Sequence, residues 1–210
     1  FILILNPDTE VKPYALDSLL KFLYDYPEAG VVAPKLLNSN GTLQKSVLSF
    51  PTLSAMAMRQ LFLEFFWITN PYSQKYLLSD LSYSRTHEVD QPMGACLLIR
   101  KNVLDQIGLF DEKYFMFFDE VDLCYRIKKA GWKIFLFPYA EVIHHGRGSV
   151  NKWGILNLSK HWTKSRNYFF RKHFGIKALI ILYIIDFIRM LLLLGLFLLI
   201  IFFFFHLFYK

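Results

Sequence analysis

Cysteine is scarce in this chain of 210 residues, which contains only Cys96 and Cys124. Two cysteines so far apart exclude both a disulfide scaffold and a C-x-x-C metal knuckle. Both lie in apolar stretches, which is typical of a reducing compartment. Disordered and low-complexity proteins are excluded as well, because 54% of the residues are hydrophobic and 18% are aromatic.

Acidic residues are absent from residues 159–177, and this absence explains most of the net charge of +7. Residues 1–158 balance 16 basic side chains with 16 acidic ones. The basic band, residues 159–177, has six basic side chains: Lys160, Lys164, Arg166, Arg171, Lys172 and Lys177. A basic band next to apolar sequence favours a membrane surface over a nucleic-acid groove, so we expect no nucleic-acid partner. Its aromatic residues, Trp162, Tyr168, Phe169 and Phe170, are expected to press on anionic lipid with it.

Charged residues are also missing between Met190 and Tyr209, where only Gly195 and His206 interrupt the apolar sequence. A helix of this length spans about 30 Å, the thickness of the hydrocarbon core of a bilayer. A buried helix of a soluble protein is the alternative. The six basic residues precede the run, so the positive-inside rule places the preceding residues in the cytoplasm. We therefore predict a hydrophobic membrane segment at 178–210, in the inner membrane.

The rest of the chain alternates between apolar strands and amphipathic helices, which predicts an α/β domain. The run Phe1–Leu5 is typical of a strand buried on both faces in the middle of a parallel sheet, with an edge strand as the alternative. A central strand needs neighbours on both sides, so we expect earlier strand–helix units ahead of residue 1. Further strands are predicted at 31–33, 95–100, 134–137 and 141–144, and helices at 13–26, 101–107 and 119–130.

Residues 53–79 are apolar, aromatic and predicted to be helical. Their rings indicate either a lid that faces a membrane or an acceptor, or ordinary core packing.

The tripeptide Asn6-Pro7-Asp8 ends the first strand, at the edge of an α/β sheet where ligands bind. A carboxylate there can hold a divalent cation that bridges a diphosphate. The alternative is an ordinary turn containing proline and aspartate.

A cluster of acidic residues opens the predicted helix at 119–130. We expect Asp119 to be its N-cap and Asp122 to pair with Arg126 four residues later. Glu120 is then left without a structural role and becomes the candidate general base. The helix dipole is expected to favour its ionised form, which a base requires.

Two adjacent histidines, His144 and His145, precede a glycine-rich segment at 146–149. Neighbouring residues of a strand point to opposite faces, so at most one of them meets a given metal. His144 can complete a metal site begun by Asp8, with Mg²⁺ or Mn²⁺ as the ion, and we expect the two side chains to lie close together. A purely structural histidine is the alternative.

An ordered set of motifs resembles the family 2 glycosyltransferases, above all their bacterial rhamnosyltransferase-like branch. The motifs are Gly94–Arg100, Gly108–Glu112, Phe117–Arg126, Ala130–Trp132 and His144–Ser149, with Val32–Asn38 and Gly41–Gln44 also matching. Asn6-Pro7-Asp8 is similar to that branch's form of the metal-binding D-x-D motif, with Asn in the first place. The resemblance covers about residues 1–175.

The resemblance implies a GT-A fold and an inverting transfer from a nucleotide-sugar donor, such as dTDP-rhamnose, to a lipid-linked or cell-surface glycan acceptor. Residues 1–158 are then the C-terminal part of the catalytic domain, which faces the cytoplasm. The family's first βα units, which hold the base and ribose of the donor, would precede residue 1. We therefore expect the 210-residue chain alone to be inactive.

Site roles carry over by position. The roles that the resemblance implies are donor binding for Asn6 and Asp8, metal binding for Asp8 and His144, the catalytic base for Glu120, and the acceptor-side wall for Gly94 and Ala95. The family's usual pair is Glu-Asp and this chain has Asp-Glu, so Asp119 stays a second candidate for the base.

Two other classes of protein remain compatible with these residues. A metal-dependent hydrolase would use the same Asp, Glu and His side chains, and a membrane-anchored scaffold would keep the fold without catalysis.

Overall fold

The computed structural model describes residues 1–146 and 154–208, which form two compact units. The first, the α/β unit, comprises Phe1–Phe50 and Leu77–Phe169, and the second unit comprises Pro51–Tyr76 and Phe170–Lys210. In chain order the elements are β1 (Ile2–Leu5), β2 (Thr9–Val11), α1 (Ala15–Asp25), β3 (Ala29–Leu37), β4 (Val47–Leu48), α2 (Leu53–Gln60), α3 (Leu63–Phe66), α4 (Pro71–Leu77), β5 (His87–Glu88), β6 (Gln91–Pro92), β7 (Cys96–Ile99), α5 (Lys101–Ile107), α6 (Asp119–Lys129), β8 (Lys133–His144) and α7 (Gly154–Phe208).

A mixed sheet forms the centre of the α/β unit, with the strand order β1-β7-β3-β8-β2 and β5 paired to β8. Strands β3 and β8 are parallel, whereas β1, β2, β5 and β7 pair antiparallel with their neighbours. Strands β4 and β6 form a separate two-stranded sheet. A mixed sheet flanked by helices confirms the α/β, GT-A-like fold class.

Helices pack on both faces of the central strands β3 and β7, which is why these two strands are buried along their length without alternation. On β3, Val32 packs with Leu19 and Leu23 of α1. Val31, on the opposite face, packs in a cluster that includes Val103 of α5 and Leu123 of α6. The amphipathic pattern of α1 therefore predicted this helix correctly, because it buries one apolar stripe. Helix α5 was also predicted correctly, with its end at Gly108.

Strand β1 has one neighbour among the described strands, and that pairing is antiparallel, so the expectation of a parallel neighbour is wrong on this side, whereas a central position in the sheet stays a prediction. It pairs antiparallel with β7, with Ile2 opposite Ile99 and Leu5 opposite Cys96. Ile2 and Leu5 are 37% and 42% exposed. A run of apolar residues indicates which faces of a strand are covered by other elements. The direction and position of that strand in the sheet depend on partners that are distant in sequence. The expectation of earlier strand–helix units stays a prediction.

Helix α7 is interrupted at Gly175, which has φ 79° and ψ −175°. Its first part packs within the α/β unit, because the ring of Phe169 lies 5.6 Å from the rings of both Phe118 and Tyr125. Arg166, Phe169 and Phe170 are fully buried. The expectation that the whole basic band presses on lipid is therefore wrong for these three residues, since burying their large side chains stabilises the fold.

One helix in the described part of the chain, Gly154–Ile201, is long and apolar enough to cross a membrane. Only 6% of its most apolar window is buried, which distinguishes it from the core helix of a soluble protein. The exposed side chains follow one another without a polar face: Leu191, Leu192, Leu193, Leu194, Leu196, Phe197, Leu198, Leu199 and Ile200 are each 44–59% exposed. This helix suggests a membrane anchor.

Candidate active site

The end of the sheet at which β1 and β8 finish brings two of the predicted segments together. Strand β2 pairs with the last residues of β8, and Thr9 lies opposite His144. The backbone N–H of His145 donates to the carbonyl oxygen of Asp8 at 2.9 Å. This register holds the Asn6-Pro7-Asp8 turn against the end of β8, which the sequence did not predict because β2 is only three residues long.

Asp8 and His144 face each other as expected. Nε2 of His144 lies 3.4 Å from Oδ1 of Asp8. The His144 side chain is 10% exposed, whereas that of Asp8 is 30% exposed, so the pair opens to solvent on the carboxylate side.

A chain of side-chain amides orients His144. Its Nδ1 lies 2.9 Å from Oε1 of Gln44, which can only accept a hydrogen bond. Gln44 is itself oriented, because its Nε2 donates to Oδ1 of Asn38 at 3.1 Å. In the neutral imidazole, Nδ1 therefore carries the hydrogen and Nε2 presents its lone pair to Asp8. No pattern in the sequence indicated a role for Gln44, although it lies in the matching motif Gly41–Gln44.

His145 points elsewhere, as the alternation of a strand predicts. Its Nδ1 lies 2.8 Å from Oγ of Ser39. An open pocket of about 350 Å³ is lined by Asn38, Ser39, Asn40 and His145. His144 is thus the histidine beside Asp8, whereas most of the glycine-rich motif that follows, from Arg147 to Ser149, lies outside the described residues.

The donor set of Asp8 and His144 fits part of a divalent cation site. Two neighbouring ligands of one ion, each bonded at about 2.1–2.4 Å, lie about 3.0–3.4 Å apart, and the observed Nε2–Oδ1 separation falls in this range. Residues 1–146 and 154–208 contain no group of three or more His, Cys, Asp or Glu side chains that could hold a metal. Further ligands would therefore come from a diphosphate and from water.

The start of α6 has a strained backbone. Phe117 and Phe118 both adopt the left-handed conformation, with φ of 64° and 63°. Each such residue costs about 1–3 kcal/mol, so the surrounding packing must hold it. Phe118 is buried, and its ring lies 5.9 Å from that of Trp162 and 5.6 Å from that of Phe169.

Asp119 is the first residue of α6 and is not its N-cap, so that prediction was wrong. The N-cap position is occupied by Phe118, which provides no side-chain hydrogen bond to the helix. Burial of the Phe118 ring fixes where the helix begins, and this tertiary contact outweighs the capping preference of aspartate.

Glu120 has a strongly perturbed carboxyl group. Burial raises its pKa to about 8, and the adjacent Asp119 carboxyl, which hydrogen-bonds to it, adds to the increase. The backbone N–H groups of Glu120 and Val121 lower the pKa by less. The helix dipole was expected to keep Glu120 ionised, and this expectation was wrong because burial and the like charge have the larger effect.

Gly94 lies directly against Glu120. A Cβ atom on Gly94 would be 3.3 Å from Cβ of Glu120, so any side chain there would press on it. The next residue, Ala95, accepts a hydrogen bond at 2.9 Å from the backbone N–H of Asn6. The two segments proposed to bind donor and acceptor therefore meet beside the candidate base.

Asp122 has the structural role that the sequence predicted. It is fully buried, and Arg126 Nε donates to its Oδ2 at 2.7 Å. Arg126 also donates to the carbonyl oxygens of Ile107 and Leu109, at 2.8 Å each, and so joins α6 to the end of α5.

Removing the Arg126 side chain should therefore destabilise the α/β unit strongly. We expect Arg126→Leu to reduce the free energy of unfolding by about 3–5 kcal/mol, because the buried carboxylate of Asp122 loses the positive charge that compensates it. Lys21→Leu, which breaks the exposed pair between Lys21 and Asp25, should cost less than about 1 kcal/mol. Thermal unfolding followed by circular dichroism would measure both, and equal losses would contradict the structural role of Arg126.

Comparison with known families agrees with this geometry. The pattern of the family described as "Glycosyltransferase like family 2" matches residues 2–164. The chain belongs to this family of glycosyltransferases.

Curated relatives are similar over most of the chain. An "N-acetylglucosaminyl-diphospho-decaprenol L-rhamnosyltransferase" of Mycobacterium tuberculosis is 33% identical over 175 residues, which cover 83% of this chain and 56% of the relative. "Rhamnosyltransferase WbbL" of Escherichia coli is 26% identical over 173 residues, covering 82% and 62%. A "Low-salt glycan biosynthesis hexosyltransferase Agl10" of Haloferax volcanii is 26% identical over 147 residues, covering 69% and 42%. The chain thus spans between two fifths and two thirds of the length of these relatives.

Proposed function

We propose that this protein transfers a sugar, with inversion, from a nucleotide-sugar donor to a lipid-linked glycan acceptor. The single observation that carries the proposal is a set of contacts at one end of the sheet of a family 2 glycosyltransferase. There Asp8 lies beside His144, and the turn that contains Asp8 bonds to Ala95, next to the contact between Gly94 and Glu120. Two of the relatives are named as rhamnosyltransferases, which favours rhamnose, with dTDP-rhamnose as the donor. The mycobacterial relative's name contains a diphospho-decaprenol, which favours an acceptor on a lipid diphosphate.

Glu120 acts as the general base in this proposal. It accepts the proton of the acceptor hydroxyl while that oxygen attacks the anomeric carbon and the nucleoside diphosphate leaves. A carboxyl pKa of about 8 suits this role, because a base titrating near the working pH is both available and strong enough to take the proton. Gly94 lets the segment proposed as the acceptor-side wall lie close against Glu120, since a side chain there would press on it.

Asp8 and His144 are proposed to hold Mg²⁺ or Mn²⁺ together with the donor diphosphate. The ion, when bound, supplies positive charge that stabilises the leaving diphosphate. Asn6 lies in the same turn and is proposed to bind the donor. Gln44 keeps Nε2 of His144 free for the ion by accepting the hydrogen of Nδ1.

The contact from Gln44 leads to a prediction about metal affinity. Gln44→Leu should weaken Mn²⁺ binding by about 10–100-fold, as is typical when the partner of a ligand histidine is lost. Gln74→Leu, an exposed glutamine in the second unit, serves as the matched control. Titration of Mn²⁺ followed by electron paramagnetic resonance measures the affinity without requiring activity. Unchanged affinity in Gln44→Leu would contradict the orienting role.

We place the protein in the inner membrane, held by α7, with its catalytic domain in the cytoplasm. The length and exposure of the apolar part of α7 support the anchor, and the excess of basic residues before it supports the orientation. Nucleotide sugars and the head groups of lipid-linked acceptors meet on that side.

The direct test is transfer by the protein expressed from its full reading frame in membranes. Radiolabelled nucleotide sugars and polyprenyl-diphosphate-linked acceptors are supplied with and without Mg²⁺. Label in the lipid-extracted glycan supports the proposal. Release of free sugar or phosphate would instead indicate a metal-dependent hydrolase, and neither product would indicate a non-catalytic scaffold.

A further inference from the structure

Residues 63–68, which we call the apolar turn, expose a continuous run of large apolar side chains in the second unit. Phe65, Phe66 and Ile68 are 72%, 88% and 81% exposed, and Leu63 and Trp67 are 40% and 49% exposed. Exposed apolar area is unfavourable in water, and contiguous patches of this kind mark interaction surfaces. The alternative from the sequence, ordinary core packing, is wrong for these residues.

The acidic residue inside the apolar turn does not interrupt this surface. The hydroxyl of Ser73 in α4 donates to Oε2 of Glu64 at 3.3 Å. Ser73 is buried, and its backbone N–H donates to Oδ1 of Asn70 at 2.7 Å. The Glu64 carboxylate is therefore held by α4, and the side chains left exposed in the turn are apolar.

A contact within the second unit places the apolar turn next to the start of the uncharged run at 190–209. The guanidinium carbon of Arg189 lies 5.7 Å from the ring centre of Phe62, the residue directly before the turn. Arg189 is followed by the uncharged run 190–209. An arginine at the end of such a run keeps its charge in the head-group region, which sets the depth of Phe62.

The charge of the second unit also matches a lipid surface. The part of this unit that precedes the uncharged run, residues 51–76 and 170–189, contains six basic and two acidic side chains. Arg59 is exposed on α2, with its guanidinium 5.7 Å from the ring of Tyr76. An excess of basic side chains in a segment that also exposes Trp and Phe is typical of segments that bind anionic bilayers.

We propose that the apolar turn inserts into the lipid bilayer surface beside α7, as a second membrane contact of this protein. The inference rests on the proposed anchoring by α7. A helix alone leaves its unit free to rotate about the helix axis, and a second contact beside the helix restricts that rotation. The inserted side chains replace water with acyl chains, which is favourable for each exposed ring.

A fluorescent label at residue 66 tests the inference. Phe66→Cys is labelled with an environment-sensitive NBD group in the protein reconstituted into vesicles of phosphatidylethanolamine and phosphatidylglycerol. The native Cys96 and Cys124 are buried, so labelling under native conditions is selective. Tyr24→Cys on α1, 70% exposed, is the matched control, and Ile68→Cys is a second reporter in the turn.

We expect blue-shifted emission from the labels at 66 and 68, with quenching by nitroxide lipids and protection from aqueous iodide. The label at 24 should show the reverse. If the protein is in the membrane but iodide quenches the label at 66 as strongly as at 24, the inference is overturned and the anchor stands. Disulfide cross-linking between two copies at residue 66, with protection from both quenchers, would also overturn it, because a second copy would then cover the turn. If carbonate washing releases the protein from membranes, the anchor itself fails, and the inference fails with it.

Discussion

Glu120→Gln is expected to reduce sugar transfer by about 10²–10⁴-fold while donor binding is largely retained. The amide keeps the shape of the side chain against Gly94 but cannot accept the proton of the acceptor hydroxyl. Transfer rates and donor affinity, measured separately on the same membranes, distinguish a lost base from a damaged site. Glu112→Gln, an exposed acidic residue outside the site, is the matched control and should leave the rate unchanged.

The pH dependence of transfer gives a second result for Glu120. The rate should rise with pH through the pKa of about 8, because the base must lose its proton to work. Asp119→Asn should stay active and move this midpoint to lower pH, since the amide removes the like charge that raises the pKa of Glu120. An inactive Asp119 variant beside an active Glu120 variant would reverse the two roles.

The raised pKa of Glu120 also predicts how the free energy of unfolding changes with pH. The folded state holds the Glu120 proton more tightly than the unfolded chain, in which the carboxyl has its ordinary pKa near 4.5. The contribution of Glu120 to the free energy of unfolding therefore falls as the pH rises from about 4.5 to about 8. Thermal unfolding of Glu120→Gln should show less of this decline than the parent protein.

Asp8→Ala and His144→Ala are the other changes with large expected effects. Each removes a proposed ligand, so Mn²⁺ affinity and transfer should each fall by more than the roughly 10–100-fold typical of losing an outer partner of a ligand. Removing divalent cations with a chelator should likewise abolish transfer by the parent protein.

The neighbouring histidine provides the control for this pair of variants. His145 lies one residue from His144 but faces Ser39, so His145→Ala should retain Mn²⁺ affinity. Similar losses in the His144 and His145 variants would contradict a site built from Asp8 and His144. Mn²⁺ binding measured without substrate separates this outcome from a general loss of activity.

Local patterns in the sequence predicted much of the α/β fold. Helix α1 follows from apolar residues at helical spacing, and α5 ends at Gly108, where φ is +80°. The pairing of Asp122 with Arg126 follows from the i,i+4 geometry of a helix. These features depend on residues that are close in sequence, so composition and spacing were sufficient to predict them.

Strand pairing was not predictable in the same way. Residues 134–137 and 141–144 were expected as two strands and form one, β8, which runs from Lys133 to His144 and joins β3 in parallel with a register shift after Pro34. That pairing depends on residues about 100 positions apart. The same long-range register, through β2, brings Asp8 to His144.

The sequence by itself determined the family, the alternating elements, the apolar C-terminal run and the candidates for the site residues, since these are properties of composition, order and motif. Only the tertiary structure decided the pKa of the Glu120 carboxyl group. Packing of Trp162 and Phe169 against Phe118 holds two aromatic residues in the left-handed conformation directly before α6. Burial at that point, with Asp119 beside it, outweighs the helix dipole and raises the pKa of Glu120, because desolvation depends on what the rest of the chain places around a carboxyl group.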